Sequence, residues 1–376
     1  MPINVIMVAM GSVALVLFAQ WFVMVGALSS FSSSVYDATS FPQFWNVAES
    51  ESPPLDVSAY GFRNRSRTQV GNSCSTPGCK SWTQGLFPTI DNKGSLKNGG
   101  VPQSANLSAH LAEIEATLPL WIPDRNWDGN AVLDFEAWTT VWEQNVGSGD
   151  WHSKRYQDES LRLIKVQHPD WTTSMIESAA KEAFESSAKE WFVQTLLLCR
   201  KIRPRAKWGF YGLPENWSSK CTAGNVTTAG CGYDGKNSSE IRAQAENTQL
   251  DIWKASSALF PSIYLPDNFR GNPHATVAYI KSTVGEAMRC AAKAAAHGGE
   301  TVPIPVFPYA WDHYHAGLDR LPEDEIVSCI QTSHDEGAAG VVWWGGSKQE
   351  ENASYWKWFS SVEGPAVKAW CDANEC

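Results

Sequence analysis

The chain has no G-x-G-x-x-G fingerprint and no P-loop, so the usual backbone cradles for dinucleotide and nucleotide phosphates are missing. No Cys/His spacing suits a zinc site, and nothing in the sequence implies a metal or a cofactor. Positive charge is in deficit. Lys and Arg number 30 against 40 Asp and Glu, and a net charge of −10 leaves no electrostatic footprint for nucleic acid. Beyond a Ser-rich stretch at 29–40 there is no linker, low-complexity segment or internal repeat in the 376 residues. The chain from 41 to 376 therefore reads as one catalytic-domain-sized unit.

Two things are abundant: apolar residues, at 43%, and tryptophan, at 19 copies. The first allows a large core. The second fills it, and leaves a few indoles (Trp45, Trp138, Trp142, Trp208, Trp311, Trp343 and Trp344 are candidates) to line a groove where an aromatic face can stack on a sugar ring.

Residues 1–28 form an apolar run without a basic flank, ending in a small-residue stretch, Val25-Gly-Ala27. It reads as a signal peptide or a signal anchor, followed by the Ser-rich spacer. The expected destination is secreted or lysosomal, with a type II membrane anchor as the alternative. Sequons at Asn64, Asn106, Asn216, Asn225, Asn237 and Asn352 agree with that route. Nine cysteines suit an oxidising compartment. Cys221 and Cys231 bracket a Gly/Thr/Asn-rich loop and make the most credible bridge. Cys371–Cys376 and Cys74–Cys79 are plausible local closures, and Cys199, Cys290 and Cys329 sit within helical patterns.

Strand-like runs at 43–47, 59–63, 131–136, 207–211, 260–265, 303–309 and 340–344 alternate with helical patterns at 107–118, 172–202, 240–259, 274–297 and 322–336. Repeated strand-helix units with right-handed crossovers make a parallel sheet, and this many in one chain suit a distorted (β/α)7–8 TIM-type barrel. Catalytic groups then belong at the C-terminal strand ends. The cluster Arg200, Lys201, Arg203, Arg205 and Lys207 precedes a strand, at the opposite end, and reads as a solvated face. Arg63, Arg65 and Arg67 would meet an anionic ligand if their segment runs off the end of an early strand.

The chemistry is written at 131–138, Ala-Val-Leu-Asp134-Phe-Glu136-Ala-Trp138. Strand alternation sends Asp134 and Glu136 to one face. Two neighbouring acids against an apolar interior raise a carboxyl pKa, and a raised acid can donate a proton: glycosidase equipment. Glu49-x-Glu51, Glu113-x-Glu115 and Glu323-x-Glu325 share the spacing in polar settings and read as solvated surface. The other strand ends add Asn46, Tyr211, Ser262, Tyr264, Tyr309, Trp311 and Trp344.

With Phe44-Trp45-Asn46-Val47, Gly85-Leu-Phe-Pro88, Asn98-Gly-Gly-Val-Pro-Gln103, Val132–Trp138, Trp208–Gly212, Leu259–Tyr264 and Gly340–Trp344 in this order, the chain resembles the hyaluronidases from about residue 41 to 370. The resemblance implies a glycoside hydrolase that cleaves β-1,4 bonds of hyaluronan and, less well, chondroitin. Its substrate's own acetamido oxygen would attack the anomeric carbon. Glu136 would be the acid and then the base, and Asp134 would share its proton and hold the acetamido group. Tyr211 and Tyr264 would confine that group, Trp344 would pack on its methyl, Asn46 and Ser262 would complete the pocket, and Tyr309 and Trp311 would line the groove. Cys221–Cys231 would match a family bridge. A second family bridge has lost both partners here, at 48–52 and 350–358. A monomer with a glycosaminoglycan substrate and no nucleic-acid partner is expected. The alternatives are a chitinase-like hydrolase of neutral N-acetylglucosamine polymers and a non-catalytic glycan-binding protein.

Overall fold

Gln43–Val47 (β1) is flanked in register by Phe62–Arg63 (β2) on one side and Val341–Gly345 (β9) on the other, and β9 pairs with Tyr309–Trp311 (β8). In a second sheet Asn130–Leu133 (β6) lies between Ser66–Gln69 (β3) and Lys207–Phe210 (β7). All these pairings are parallel. The computed structural model describes residues 40–47, 55–63, 66–69, 85–214, 245–315, 319–345, 353–374 and 376. The chain divides into two compact units, 1–36 and 37–376, and everything described belongs to the second. The proposed signal segment 1–28, the spacer to residue 39 and the sequons other than Asn106 lie outside the described residues, as do Cys74, Cys79, Cys221, Cys231 and Arg65.

The two sheets are linked through residues 259–266. Isolated parallel bridges join Tyr211 to Phe260, Leu259 to Val306, Ser262 to Tyr309 and Pro266 to His315. The pairings thus run β2-β1-β9-β8, on through 259–266, to β7-β6-β3. One junction is made by sequence alone, where β2 and β3 stand two residues apart. The strands expected at 260–265 and 303–309 do not form regular ladders. Pro261, Pro266, Pro303, Pro305 and Pro308 supply no N–H, and the contact survives on their carbonyls: Leu259 N–H donates to Pro305 O and Tyr309 N–H to Pro261 O, at 3.0 and 2.8 Å. Gly209 lets these strands close up, because a Cβ there would fall 2.3 Å from the Ala258 carbonyl oxygen. A short antiparallel hairpin of Thr89–Ile90 (β4) and Leu96–Lys97 (β5) stands apart.

Helices cover the outside. Leu107–Trp121 (α1), Thr173–Ile202 (α3) and Leu250–Ala255 (α4) pack with β6 and β7 in one core, and Arg155–Gln167 (α2) lies over its edge. Pro273–Gly298 (α5) contributes to both cores. Glu323–Asp335 (α6), Ala353–Ser361 (α7) and Glu363–Asn374 (α8) pack with β1 and β9 in the second. α3 starts where expected, with Thr172 Oγ1 accepting from Met175 N–H, and α5 ends on Gly299 at φ +76°. The helix expected over 240–259 ends instead at Ala255. Ser257 and Ala258 N–H donate to the Trp208 carbonyl and begin the next barrel segment. α2, α7 and α8 fall outside the helical patterns expected from the sequence. The Cys371–Cys376 bridge is present at 2.06 Å; Cys199, Cys290 and Cys329 are buried thiols in α3, α5 and α6.

One expectation about charge needs correction. Arg203 is buried and donates to the Ile122 and Pro123 carbonyls at the end of α1, while Arg200 donates to the carbonyls of residues 254–256. These cations close helix C-termini; only part of their cluster is a solvated face. Arg63 is the last residue of β2 and Arg67 lies within β3. Arg67 is level with Ala131 in the β3–β6 register, and Arg63 donates to the Cys376 carbonyl at 2.7 Å. Among the described residues no helix is long and apolar enough to cross a membrane, and no His/Cys/Asp/Glu group is arranged to hold a metal.

Candidate active site

The site follows from strand alternation. Ala131, Leu133, Trp208, Phe210, Leu259, Val306, Ala310, Val341 and Trp343 belong to the two helix-facing cores. Their neighbours Phe44, Val132, Phe260, Phe307, Tyr309 and Val342 are buried yet belong to neither, and therefore point into the barrel. There Phe44 meets Phe307 edge-on at 5.6 Å and Phe307 stacks on Phe260 at 6.0 Å. Moving two residues toward the C-terminal strand ends replaces this apolar plug with Asn46, Asp134, Tyr211, Ser262, Tyr264, Trp311 and Trp344.

Several of these groups are brought together by direct contact. The Tyr264 hydroxyl hydrogen-bonds to that of Tyr211, which donates to Ser262 Oγ at 3.2 Å. The Tyr211 ring is 5.8 Å from Tyr264 and rests edge-on against Tyr309 at 5.2 Å. Trp344 stacks on Tyr264 at 5.9 Å and meets Trp311 at 5.1 Å. Asn46 and Trp344 are partners in the β1–β9 register, which places them side by side. Tyr309 departs from expectation. It is fully buried under Tyr211, so it is part of the floor and not of the groove wall.

Asp134 and Glu136 lie just beyond β6, whose last ladder bond is Tyr211 N–H to the Leu133 carbonyl at 2.9 Å. The strand is shorter than the sequence suggested, but the alternation persists. Phe135 leaves the acids' side to stack on Phe87 at 4.2 Å and meet Trp138 at 4.8 Å. Both carboxylic residues are half-buried. Loss of solvent pushes the Asp134 carboxyl up to about 6. Burial, and after it the charge of Glu136, holds the Tyr211 phenol protonated; burial and then Tyr211 do the same for Tyr264. Both are hydrogen-bond donors at any working pH.

Glu136 lines a small cleft with Tyr211, Gly212, Leu213 and His152. His152 was not expected from the sequence, where it follows a Gly-rich loop without periodicity. The loop is laced to the acids by His152 N–H to the Glu136 carbonyl at 3.0 Å and Ser153 N–H to the Ala137 carbonyl at 3.3 Å. His152 holds φ +42°, a conformation that a non-glycine residue keeps only where its surroundings impose it.

A second histidine supports the site from behind. His110, on α1, is wholly buried; its Nδ1 accepts from Leu86 N–H and its Nε2–H donates to Thr195 Oγ1, both at 2.8 Å. The Thr195 hydroxyl donates in turn to the Trp191 carbonyl, so Thr195 accepts from the ring and the neutral tautomer is fixed. Burial drives the imidazole down to about 3. The held segment carries Phe87, which backs Phe135 between the two acids. Of the remaining Glu-x-Glu pairs, Glu325 is buried against Tyr314 and Thr276, its carboxyl raised chiefly by desolvation, and is not the solvated residue expected.

The family model described as Hyaluronidase matches residues 31–361. Hyaluronidase-1 of Homo sapiens is 37% identical over 262 residues, 69% of this chain and 56% of the relative. The hyaluronidase of Crotalus adamanteus is 30% identical over 316 residues, covering 83% and 67%. The chain thus spans little more than half the length of the mammalian relatives it matches. Bee venom hyaluronidase superposes with a TM-score of 0.70 at 25% identity, covering 87% of this chain and 99% of that one. The same protein in complex with a hyaluronic acid tetramer gives 0.70 at 26%. Motif order, barrel and acid-bearing strand tip agree with a match over most of the sequence: this chain belongs to the hyaluronidase family.

Proposed function

We propose that the protein is a glycoside hydrolase that cleaves hyaluronan, and less readily chondroitin, at the β-1,4 bond after N-acetylglucosamine. The observation that carries this reading is the juxtaposition of a desolvated Asp134, a cleft-lining Glu136 and the buried hydrogen-bonded phenols Tyr211 and Tyr264 at neighbouring strand ends. Glu136 lines the cleft and protonates the leaving glycosidic oxygen. Asp134 holds the substrate's acetamido N–H, so that the acetamido oxygen attacks the anomeric carbon from within the substrate. Tyr211 and Tyr264 donate toward that group, Trp344 covers its methyl, and Asn46 and Ser262 fix the pocket wall. In the second half-reaction Glu136 takes a proton from water, and water opens the cyclic intermediate with retention.

The functional reading also takes residues 1–28 as a secretory signal or anchor with 29–40 as a spacer, the mature catalytic unit as a monomer, and Asn106 as one glycan acceptor. Asn106 is exposed at the N-terminus of α1, where its Oδ1 accepts from Ala109 N–H. Incubation of the protein with hyaluronan, unsulfated chondroitin and chito-oligosaccharides, with product sizing, is the direct test. Release of even-numbered hyaluronan oligomers is expected. Cleavage of the neutral oligomers alone would overturn the assignment.

A further inference from the structure

We infer that His152 is a positioning residue for the acid: its imidazole, brought to the cleft on a clamped loop, steadies Glu136 and favours the carboxylate that Glu136 must become to act as a base. The inference rests on the functional reading above. Residues 145–153 return across the tip of β6, where His152 N–H donates to the Glu136 carbonyl at 3.0 Å and Ser153 N–H to the Ala137 carbonyl at 3.3 Å. Successive N–H groups of extended backbone point opposite ways; the turn at His152, with its φ of +42°, aims both at one strand tip. The loop is pinched shut below them. Gly147 N–H donates to the His152 carbonyl at 2.7 Å, and a Cβ on Gly147 would fall 2.4 Å from the Trp151 carbonyl oxygen. At its start the buried Asn145 amide accepts from Thr139 N–H and donates to the Thr139 carbonyl, both at 2.9 Å.

Glycine would hold a positive φ without strain, and the same loop uses it at Gly147 and Gly149. A histidine kept in that conformation points to work for its side chain. Among the described residues lining this cleft, Glu136 is the one acid and His152 the one base; the Tyr211 phenol beside them is held protonated by burial. Asp134 adds its carboxyl from two positions back on the same tip. The other charges packed around the loop are matched among themselves. Asp150 pairs with Arg155 at 3.2 Å and Lys154 with Asp158; beside α3, Glu143 pairs with Lys181, and Glu185 accepts from Trp142 N–H at 2.9 Å. His110, behind the acids, is neutral. The charge that varies beside Glu136 is therefore that of His152. A cationic imidazole next to a carboxyl favours its ionised form, and either state of the ring offers an N–H.

The test is the pH profile of hyaluronan hydrolysis by the full chain carrying His152→Asn or His152→Gly, both of which accept a positive φ and so keep the loop. At the wild-type optimum kcat should fall about tenfold with KM within about twofold. The acidic limb of the profile should move to higher pH by roughly half a unit to one unit, because a carboxylate without its neighbouring cation holds a proton more tightly. His152→Lys, which restores a cation, should bring the limb back toward its wild-type position. A limb that stays put in the Asn and Gly variants, with activity either unchanged or lowered equally at every pH, overturns the role given to His152 and leaves the hydrolase assignment standing. Wild-type protein that leaves hyaluronan uncut overturns the hydrolase assignment, and this role with it.

Discussion

The floor and the mouth of the barrel are built from the same strands, two residues apart, and obey opposite rules. Phe44, Val132, Phe260, Phe307 and Val342 close the floor with aromatic and branched side chains that have nothing to hydrogen-bond. One step along, Asn46, Asp134, Tyr211, Ser262, Trp311 and Trp344 bring donors and an acid into partial or full burial. The floor is where burial stabilises, at about 1.5–3 kcal/mol for each large apolar side chain. The mouth is where burial is set against charge: the same exclusion of water that holds Phe260 in place lifts Asp134 to about 6. A single barrel therefore uses desolvation twice, once for cohesion and once for reactivity.

Glu136→Gln should produce the largest effect on the mouth side. Hydrolysis should drop by roughly 10³- to 10⁴-fold while polymer binding persists, as read by turnover and by a direct binding assay. Unimpaired turnover would break the comparison. On the floor side, Phe260→Ala should cost about 3–5 kcal/mol in urea unfolding, through lost contacts with Phe307 and Tyr309 and the cavity left behind. A smaller effect comes with the opposite sign. Because its folded pKa lies above the ordinary carboxyl value, Asp134 favours the fold fully below about pH 3.8, and that advantage is lost as pH rises through 6. Asp134→Asn should thus abolish efficient hydrolysis yet stabilise the protein by about 1–3 kcal/mol at pH 7, with the gain vanishing near pH 4. Melting curves at the two pH values check the sign.

The strand-like runs alternating with helical patterns made most strands legible, and the residues at their C-terminal ends named most of the mouth. Thr172, Pro204 and the Gly298-Gly299 pair marked helix ends correctly. What the sequence hid was non-local. Tyr309 carries a groove-like hydroxyl, and only the packing of Tyr211 above it places it in the floor. The prolines of 303–308 were compatible with a strand by composition but deny it donors, so pairing slides to Tyr309–Trp311. Arg203 looked like surface charge because nothing in its neighbours announces the open carbonyls at the end of α1. His152 reaches the cleft through loop geometry that has no periodic signature.

The wholly enclosed imidazole of His110 sets an acid boundary for the molecule. An unfolded chain would begin to take up a proton at this ring below about pH 6.5, whereas the folded one refuses it until about pH 3. Each unit of acidification between those limits favours unfolding by about 1.4 kcal/mol, on the order of 5 kcal/mol in all. A protein whose Asp134 is raised into mild acidity thus carries, one helix away, a ceiling on how sour its surroundings can become before the scaffold lets go.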